Sequence, residues 1–168
     1  MESGKTPENS NPKGAHELLS VLVVDDEQQI CELVQNFLSE SVYIEQVVAA
    51  NNAFHGRQKM QNQDFDFVVV DYAMQGKNGM QFVQDIRKTI QGSQAKVLLI
   101  SGCLEEENVL QAIQLKIRNI LIKPFSRRQL LEKMYQMFEL GPEFSLVGDI
   151  DSDQEDFKID FDMEIDFD

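Results

Sequence analysis

Five short apolar runs recur along the chain, and this repetition constrains its fold more than any other feature. Four of the runs are rich in Val, Ile and Leu and nearly continuous, which is typical of strands buried on both faces of a parallel sheet. Helical patterns separate them, so the chain predicts right-handed βαβ units in a doubly wound α/β sandwich. The runs are 18–24, 42–48, 65–70, 96–100 and 117–122.

The segments between the runs place apolar residues on one face of a helix. Over residues 30–38 they recur at i, i+3, i+4, i+7 and i+8. The last segment opens with a Ser-x-x-Gln capping box at Ser126 and Gln129. The second, over 51–61, has the thinnest apolar stripe. We therefore expect five helices, the third of them ending at Gly92.

The negative charge of the chain is concentrated at its end. The 168 residues carry a formal net charge of −14, and residues 141–168 contain eleven acidic residues and one basic residue. Residues 1–17 are polar and offer little to bury. We predict a flexible lead-in over 1–17, one compact domain over 18–140 and an acidic-hydrophobic tail over 141–168.

Composition excludes several classes of protein. A surface this acidic repels nucleic acid and anionic lipid. No apolar run approaches the roughly 18 residues that a membrane span requires, and the N-terminus lacks the apolar core of a signal peptide. Cys31 and Cys103 have no metal-ligand or disulfide spacing. We expect a cytoplasmic protein that binds neither nucleic acid nor membrane.

Polar side chains follow four of the predicted strands, at the edge where such sheets place their binding sites. Asp25 and Asp26 follow the first strand, and Asp71 follows the third. Ser101 follows the fourth strand and Lys123 the fifth. Because the carboxyl ends of parallel strands share one edge, we expect these side chains to converge. Taken alone, Asp26 also suits the N-cap of the first helix.

These residue types together suit phosphoryl transfer. Three neighbouring carboxylates repel one another, and a divalent cation relieves this repulsion. The set of ligands is all oxygen, which favours Mg²⁺. A carboxylate can also attack phosphorus to form an aspartyl phosphate. The remaining need is neutralisation of the phosphoryl oxygens, which Mg²⁺, the Lys123 ammonium and the Ser101 hydroxyl can share.

The residues around these positions resemble those of a known family. Val21–Glu27, Val68–Met74, Leu98–Gly102 and Ile122–Phe125 are similar to the motifs of the receiver domain of two-component response regulators. The resemblance extends over residues 18–140. It implies a flavodoxin-like fold with strand order 2-1-3-4-5, like that of the chemotaxis receivers.

The resemblance also implies a role for each acidic residue. Asp71 is then the phosphoacceptor. Mg²⁺ is held by Asp25, Asp26, Asp71 and the backbone carbonyl of Ala73, with Asp25 acting largely through water. Each of these roles is carried over from the family and does not follow from spacing.

The family also assigns the remaining residues, and the sequence departs from its pattern twice. Ser101 and Lys123 are expected to sense the phosphoryl group, and the bond between Lys123 and Pro124 is expected to be cis. Many receivers have Tyr or Phe where this chain has Ile120, so a rotating aromatic ring cannot report the phosphorylated state at this position. Gln75 stands where the family often has Pro, which leaves the rigidity of that loop open.

The implied function is that of a phosphorylatable receiver. A histidine kinase or phosphotransfer protein would donate the phosphoryl group to Asp71, and the domain would supply Mg²⁺-dependent self-phosphorylation and autodephosphorylation chemistry without being an enzyme. Output would be protein binding, through the fourth helix, fifth strand and fifth helix or through the tail. A constitutive binding module acting through the tail is the alternative, which Ile120 favours. A Mg²⁺-dependent phosphatase commonly has a second acid two residues after its nucleophilic Asp, and this match is poor.

The tail has a pattern of its own. From Asp156 to Asp168 apolar and charged residues alternate without a break, which is the period of a strand. Three interpretations stay open: a segment that binds a partner by adding a strand or filling a groove, a segment that pairs with a second copy in a homodimer, and a disordered acidic-hydrophobic segment.

Overall fold

A computed structural model describes residues 17–103 and 105–141. Five parallel strands form one sheet in the order β2-β1-β3-β4-β5, which confirms the predicted fold class and strand order. The strands are β1 Leu19–Val24, β2 Ile44–Ala50, β3 Phe67–Asp71, β4 Lys96–Ser101 and β5 Asn119–Ile122.

Helices cover both faces of the sheet, and the described residues form six of them rather than five. The predicted fourth and fifth helices correspond to α5 and α6. None of the six is long and apolar enough to cross a bilayer. They are α1 Gln28–Ser39, α2 Ala53–Asn62, α3 Gly79–Ile86, α4 Ile90–Gln94, α5 Glu106–Gln114 and α6 Arg127–Phe138.

The central strands β1 and β3 are buried along their whole length. Side chains of a strand alternate between its two faces, so β1 contributes to two cores. Val21 and Val23 pack with residues of α1 and α6. Leu22 and Val24 pack on the other face with residues of α2, α3 and α5. Burial on both faces explains the nearly continuous apolar runs, and it leaves the carboxyl ends of these strands as the place for polar groups.

The helix after β3 is broken where the sequence predicts one helix that stops at Gly92. The structure ends α3 at Ile86 and starts a separate short helix behind Thr89, whose hydroxyl accepts the Gly92 amide at 3.0 Å. Arg87 stabilises the far end of α4 by donating to the carbonyl of Ala95 at 2.7 Å. The local threonine cap competes with continuation of α3, so Gly92 lies inside α4.

The predicted lead-in and tail lie outside the described residues, apart from residues 17 and 141. The division of the chain at residues 17 and 140 therefore stays a prediction, as do the three interpretations of the tail.

Gly92 tests the packing of α4 against α3. A Cβ atom at this position would lie 2.2 Å from the carbonyl oxygen of Ile86. We expect Gly92→Ala to lower the free energy of unfolding by about 1–3 kcal/mol, since the two helices must move apart. Gly102→Ala is the control, because nothing lies within 4 Å of a Cβ there. Equal urea midpoints for the two variants would contradict this account.

Candidate functional site

Three carboxylates meet at the carboxyl edge of the sheet. Asp25, Asp26 and Asp71 each offer an oxygen, and these oxygens lie within 4.8 Å of one another. The cause is the register of β1 and β3, which pairs Val24 with Val70 so that the next residues, Asp25 and Asp71, lie side by side. Asp25 and Asp71 are only 1% and 3% exposed, whereas Asp26 is exposed.

Lys123 reaches this cluster from the edge strand β5. Its ammonium nitrogen lies 2.9 Å from an oxygen of Asp71, 3.3 Å from one of Asp25 and 3.5 Å from one of Glu27. The peptide bond between Lys123 and Pro124 is cis, as the resemblance implies. One ammonium group therefore binds two buried carboxylates that come from different strands.

The charges of the cluster are incompletely balanced. Burial raises the pKa of the Asp25 carboxyl, and the Glu27 amide and Lys123 oppose this without cancelling it, because the charge of Asp71 adds to the effect of burial. Burial alone would lower the pKa of Lys123, but its hydrogen bond to Asp71 and the charges of Asp25 and Asp71 outweigh burial and raise the pKa. In the part of the chain that the structure describes, Lys123 is the cation that contacts this cluster of three carboxylates. A divalent cation fits the remaining negative charge.

The Asp26 side chain binds the loop after β3 and is not the N-cap of α1. One of its oxygens accepts the backbone amide of Gln75 at 3.0 Å. The N-cap is Glu27, whose side chain makes no capping bond, and the Glu27 amide is bound by the Asp25 carboxylate at 2.9 Å. The N-cap interpretation of Asp26 is therefore wrong, since its side chain turns to the neighbouring loop.

Ser101 lies beside Asp71 but is bonded within its own loop. Pairing of Asp71 with Ile100 places Ser101 next to the carboxylate on the adjacent strand, where it is 1% exposed. Its hydroxyl donates to the carbonyl of Cys103 and accepts the Cys103 amide at 3.2 Å. A hydrogen bond from Ser101 to a group on Asp71 requires the hydroxyl to leave that carbonyl.

Ala73 and Ile120, two further positions singled out from the sequence, differ in their exposure to solvent. Ala73 lies in the loop after Asp71 with its side chain exposed, and the role of its carbonyl stays a prediction. Ile120 is half-buried and packs against the core under α2, α3 and α5. It is an aliphatic core residue where a movable ring would otherwise stand.

Sequence reasoning did not identify Tyr72, which connects the end of β3 to α5. Its hydroxyl donates to the side-chain oxygen of Asn108 on α5, and its backbone carbonyl accepts the Gly79 amide at 2.9 Å. A Cβ atom at Gly79 would lie 2.2 Å from the carbonyl oxygen of Asp71, so the start of α3 approaches the strand end closely. An aromatic residue directly after Asp71 was the available signal, but its partner on α5 has no local signature.

The strand order and this acidic edge define a flavodoxin-like domain with a cluster of carboxylates at its topological switch point. The family model of the response regulator receiver domain matches residues 21–135, and the chain belongs to this family. The chemotaxis protein CheY-3 of Vibrio cholerae is 28% identical over 121 residues, which cover 72% of this chain and 92% of that protein. Protein PetR of Rhodobacter capsulatus is 27% identical over 128 residues, which cover 76% of this chain and 52% of PetR.

Solved structures agree with this assignment. The chemotaxis protein CheY4 of Vibrio cholerae has a TM-score of 0.67 and 25% identity, with coverage of 71% of this chain and 98% of that one. A CheY-like receiver domain from Methanospirillum hungatei has a TM-score of 0.67 and 24% identity, with coverage of 73% and 95%, and shows the fold alone. Receiver domains are signalling domains of two-component systems, and the acidic cluster is compatible with Mg²⁺ and aspartyl phosphorylation.

The burial of Asp25 predicts a stability that depends on pH. The pKa of Asp25 is raised above its ordinary value of 3.8, so the folded state holds this proton more tightly than the unfolded chain. Stability is therefore lost as the pH rises from 3.8 through the raised pKa, by about 1.4 kcal/mol for each unit between the two values. In a chelating buffer we expect Asp25→Asn to be more stable than wild type near neutral pH.

Urea unfolding over a range of pH measures this difference. The advantage of Asp25→Asn should vanish below pH 3.8, where the wild-type carboxyl is protonated in both states. The exposed Asp64→Asn is the matched control and should show no such trend. If Asp25→Asn is less stable than wild type near neutral pH, the ionised Asp25 carboxylate does not destabilise the folded state and this account is wrong.

Proposed function

We propose that Asp71 accepts a phosphoryl group from the phosphohistidine of a histidine kinase or phosphotransfer protein. Asp25, Asp26, Asp71 and the carbonyl of Ala73 would hold Mg²⁺, with Asp25 acting largely through water. The observation that supports this most directly is the position of Asp71, a buried carboxylate beside two further acids and 2.9 Å from the ammonium group of Lys123. Phosphorylation of Asp71 would then change the affinity of the domain for its protein partners.

The reaction requires little beyond placement and charge. A carboxylate oxygen of Asp71 attacks phosphorus, and the bond from phosphorus to the histidine nitrogen breaks. The electron pair returns to the imidazole, which takes up a proton from solvent. Lys123 already lies within hydrogen-bond distance of Asp71 and can hold a phosphoryl oxygen there. Bound Mg²⁺ supplies the positive charge that the carboxylates and the phosphoryl group require together.

Ser101 is proposed to hold another phosphoryl oxygen. Its hydroxyl would exchange the carbonyl of Cys103 for the new oxygen acceptor, which carries more negative charge. This exchange moves the loop after β4 relative to α5. Tyr72 adds a second connection from the same site to α5 through Asn108. Both contacts support output through the face formed by α5, β5 and α6.

Labelling by a small phosphodonor tests the phosphoacceptor. With Mg²⁺ and acetyl phosphate, we expect intact-mass spectrometry to show one added phosphoryl group, because Asp71 is placed for attack. Asp71→Asn should remove the label, and the exposed Asp64→Asn should retain it. Wild-type protein that stays unmodified, while another receiver is labelled under the same conditions, would falsify the proposal.

Calorimetry tests the metal site separately. We expect Asp26→Asn to weaken Mg²⁺ binding by roughly tenfold, equivalent to about 1.4 kcal/mol, because it removes a carboxylate from the cluster without leaving a buried group unpaired. Glu32→Gln changes an exposed acid on α1 and should leave the affinity unchanged. The same affinity in wild type and Asp26→Asn would place the metal elsewhere.

A constitutive binding module that acts through its tail is the second candidate. The packing of Ile120 in the core favours it, because an aliphatic side chain held there has no ring to change position. The two candidates differ in one measurement. A constitutive module binds its partner with the same affinity before and after labelling of Asp71, whereas a switched receiver does not.

A further inference from the structure

The basic residues of this acidic protein are concentrated in one segment. Residues 1–115 contain sixteen acidic and eight basic residues, residues 116–140 contain two and six, and residues 141–168 contain eleven and one. The middle segment comprises the turn before β5, β5 itself and α6. The strongly acidic tail thus follows directly after the one segment of the three with a positive net charge, and the two attract each other.

The same segment forms a free edge of the sheet. Within residues 17–103 and 105–141, no strand pairs with the outer side of β5. The Lys123 amide donates to the Ser101 carbonyl at 2.8 Å and therefore faces β4. Because successive residues of a strand face opposite edges, the amides and carbonyls of Ile120 and Ile122 face outward. Such an edge accepts an additional strand.

Apolar surface lies beside this edge. Ile120 packs in the core under α5, and the alternation of β5 puts Ile122 on the same side of the sheet. Ile122 is 43% exposed. A strand with one apolar side and one charged side would cover this side chain while its other side stays hydrated.

We propose that residues 156–168 of the same chain pair with the outer edge of β5. Their apolar side covers Ile122, and their carboxylates lie near the basic segment that includes Lys116 and Lys133. The other free edge, at β2, is a poorer match because Glu45 lies on it and Glu40 precedes it. This proposal does not depend on phosphoryl transfer.

The connectivity of the fold decides the direction of the added strand. Helix α6 lies on the face of the sheet that holds α1, whereas α2, α3 and α5 lie on the other face. A strand placed outside β5 and parallel to it, after α6, would complete a left-handed crossover, and about 98% of such crossovers are right-handed. Residues 156–168 therefore run antiparallel to β5.

Residues 142–155, the spacer between the described chain and the pairing segment, are long enough for this path. The hydroxyl of Tyr43 donates to the carbonyl of Gly141 at 3.1 Å, so the described chain ends beside the start of β2. From there the path crosses five strand spacings, about 24 Å, and follows β5 for about 13 Å. The fourteen residues 142–155 span up to about 46 Å when extended.

Amide exchange followed by NMR on the full-length protein tests the pairing residue by residue. In wild type the amides of Ile120 and Ile122 should exchange slowly, like those of Leu121 and Lys123, which face β4. A full-length Phe161→Ser/Ile165→Ser variant should lose protection at Ile120 and Ile122 alone.

The matched control alters the spacer instead of the strand. Phe144→Ser/Val147→Ser removes two apolar residues before residue 156 and should leave all four amides protected. If Ile120 and Ile122 exchange rapidly in wild type, or equally in the two variants, the tail does not cover this edge and the proposal fails. Rapid exchange is also the result for a tail that awaits a different protein partner.

Carbodiimide cross-linking distinguishes the same chain from a second copy. It joins neighbouring ammonium and carboxyl groups, so residues 156–168 should be linked to Lys116 and Lys133 and not to Lys59 on α2. In an equal mixture of ¹⁴N-labelled and ¹⁵N-labelled protein, the two peptides of each link should carry the same isotope. Links between a ¹⁴N peptide and a ¹⁵N peptide would overturn the proposal in favour of a dimer.

Discussion

The interaction on which the site depends is the contact of one lysine with two buried carboxylates. Lys123 comes from the edge strand β5, and Asp25 and Asp71 come from the two central strands. Buried charges are tolerated only when they are paired, so the carboxylates hold the end of β5 in place as much as the lysine holds them. The negative charge that remains is the property that makes this edge suitable for a divalent cation and for phosphoryl chemistry.

The sheet gives these charges a rigid support. Strands β1 and β3 are buried on both faces, and their register places Asp25 and Asp71 side by side. The close approach of Gly79 to the carbonyl of Asp71 fixes the loop that leaves the site. The loops and helices that start at this edge therefore rest on strands that are fully packed.

Two contacts connect the site with its surroundings. Asp26 binds the amide of Gln75 in the loop after β3, and Tyr72 binds Asn108 on α5. The latter contact reaches α5, on the side of the domain where no strand within residues 17–103 and 105–141 pairs with the outer edge of β5. The edge with the three carboxylates and the outer side of β5 are thus neighbours in the fold, because Lys123 follows β5 and Asn108 lies on α5.

The sequence by itself determined the fold class, the strand order through its family resemblance, and the five residues at the strand ends, because strand periodicity is local and parallel strands end at one edge. It did not determine the break at Thr89, where a side-chain cap competes with the helix, or the bond of Ser101 to the Cys103 carbonyl. Tyr72 and Asn108 lie 36 residues apart, and only tertiary packing brings them together. Contacts between distant residues leave no periodic trace in a single sequence, and for this reason the structure alone decided them.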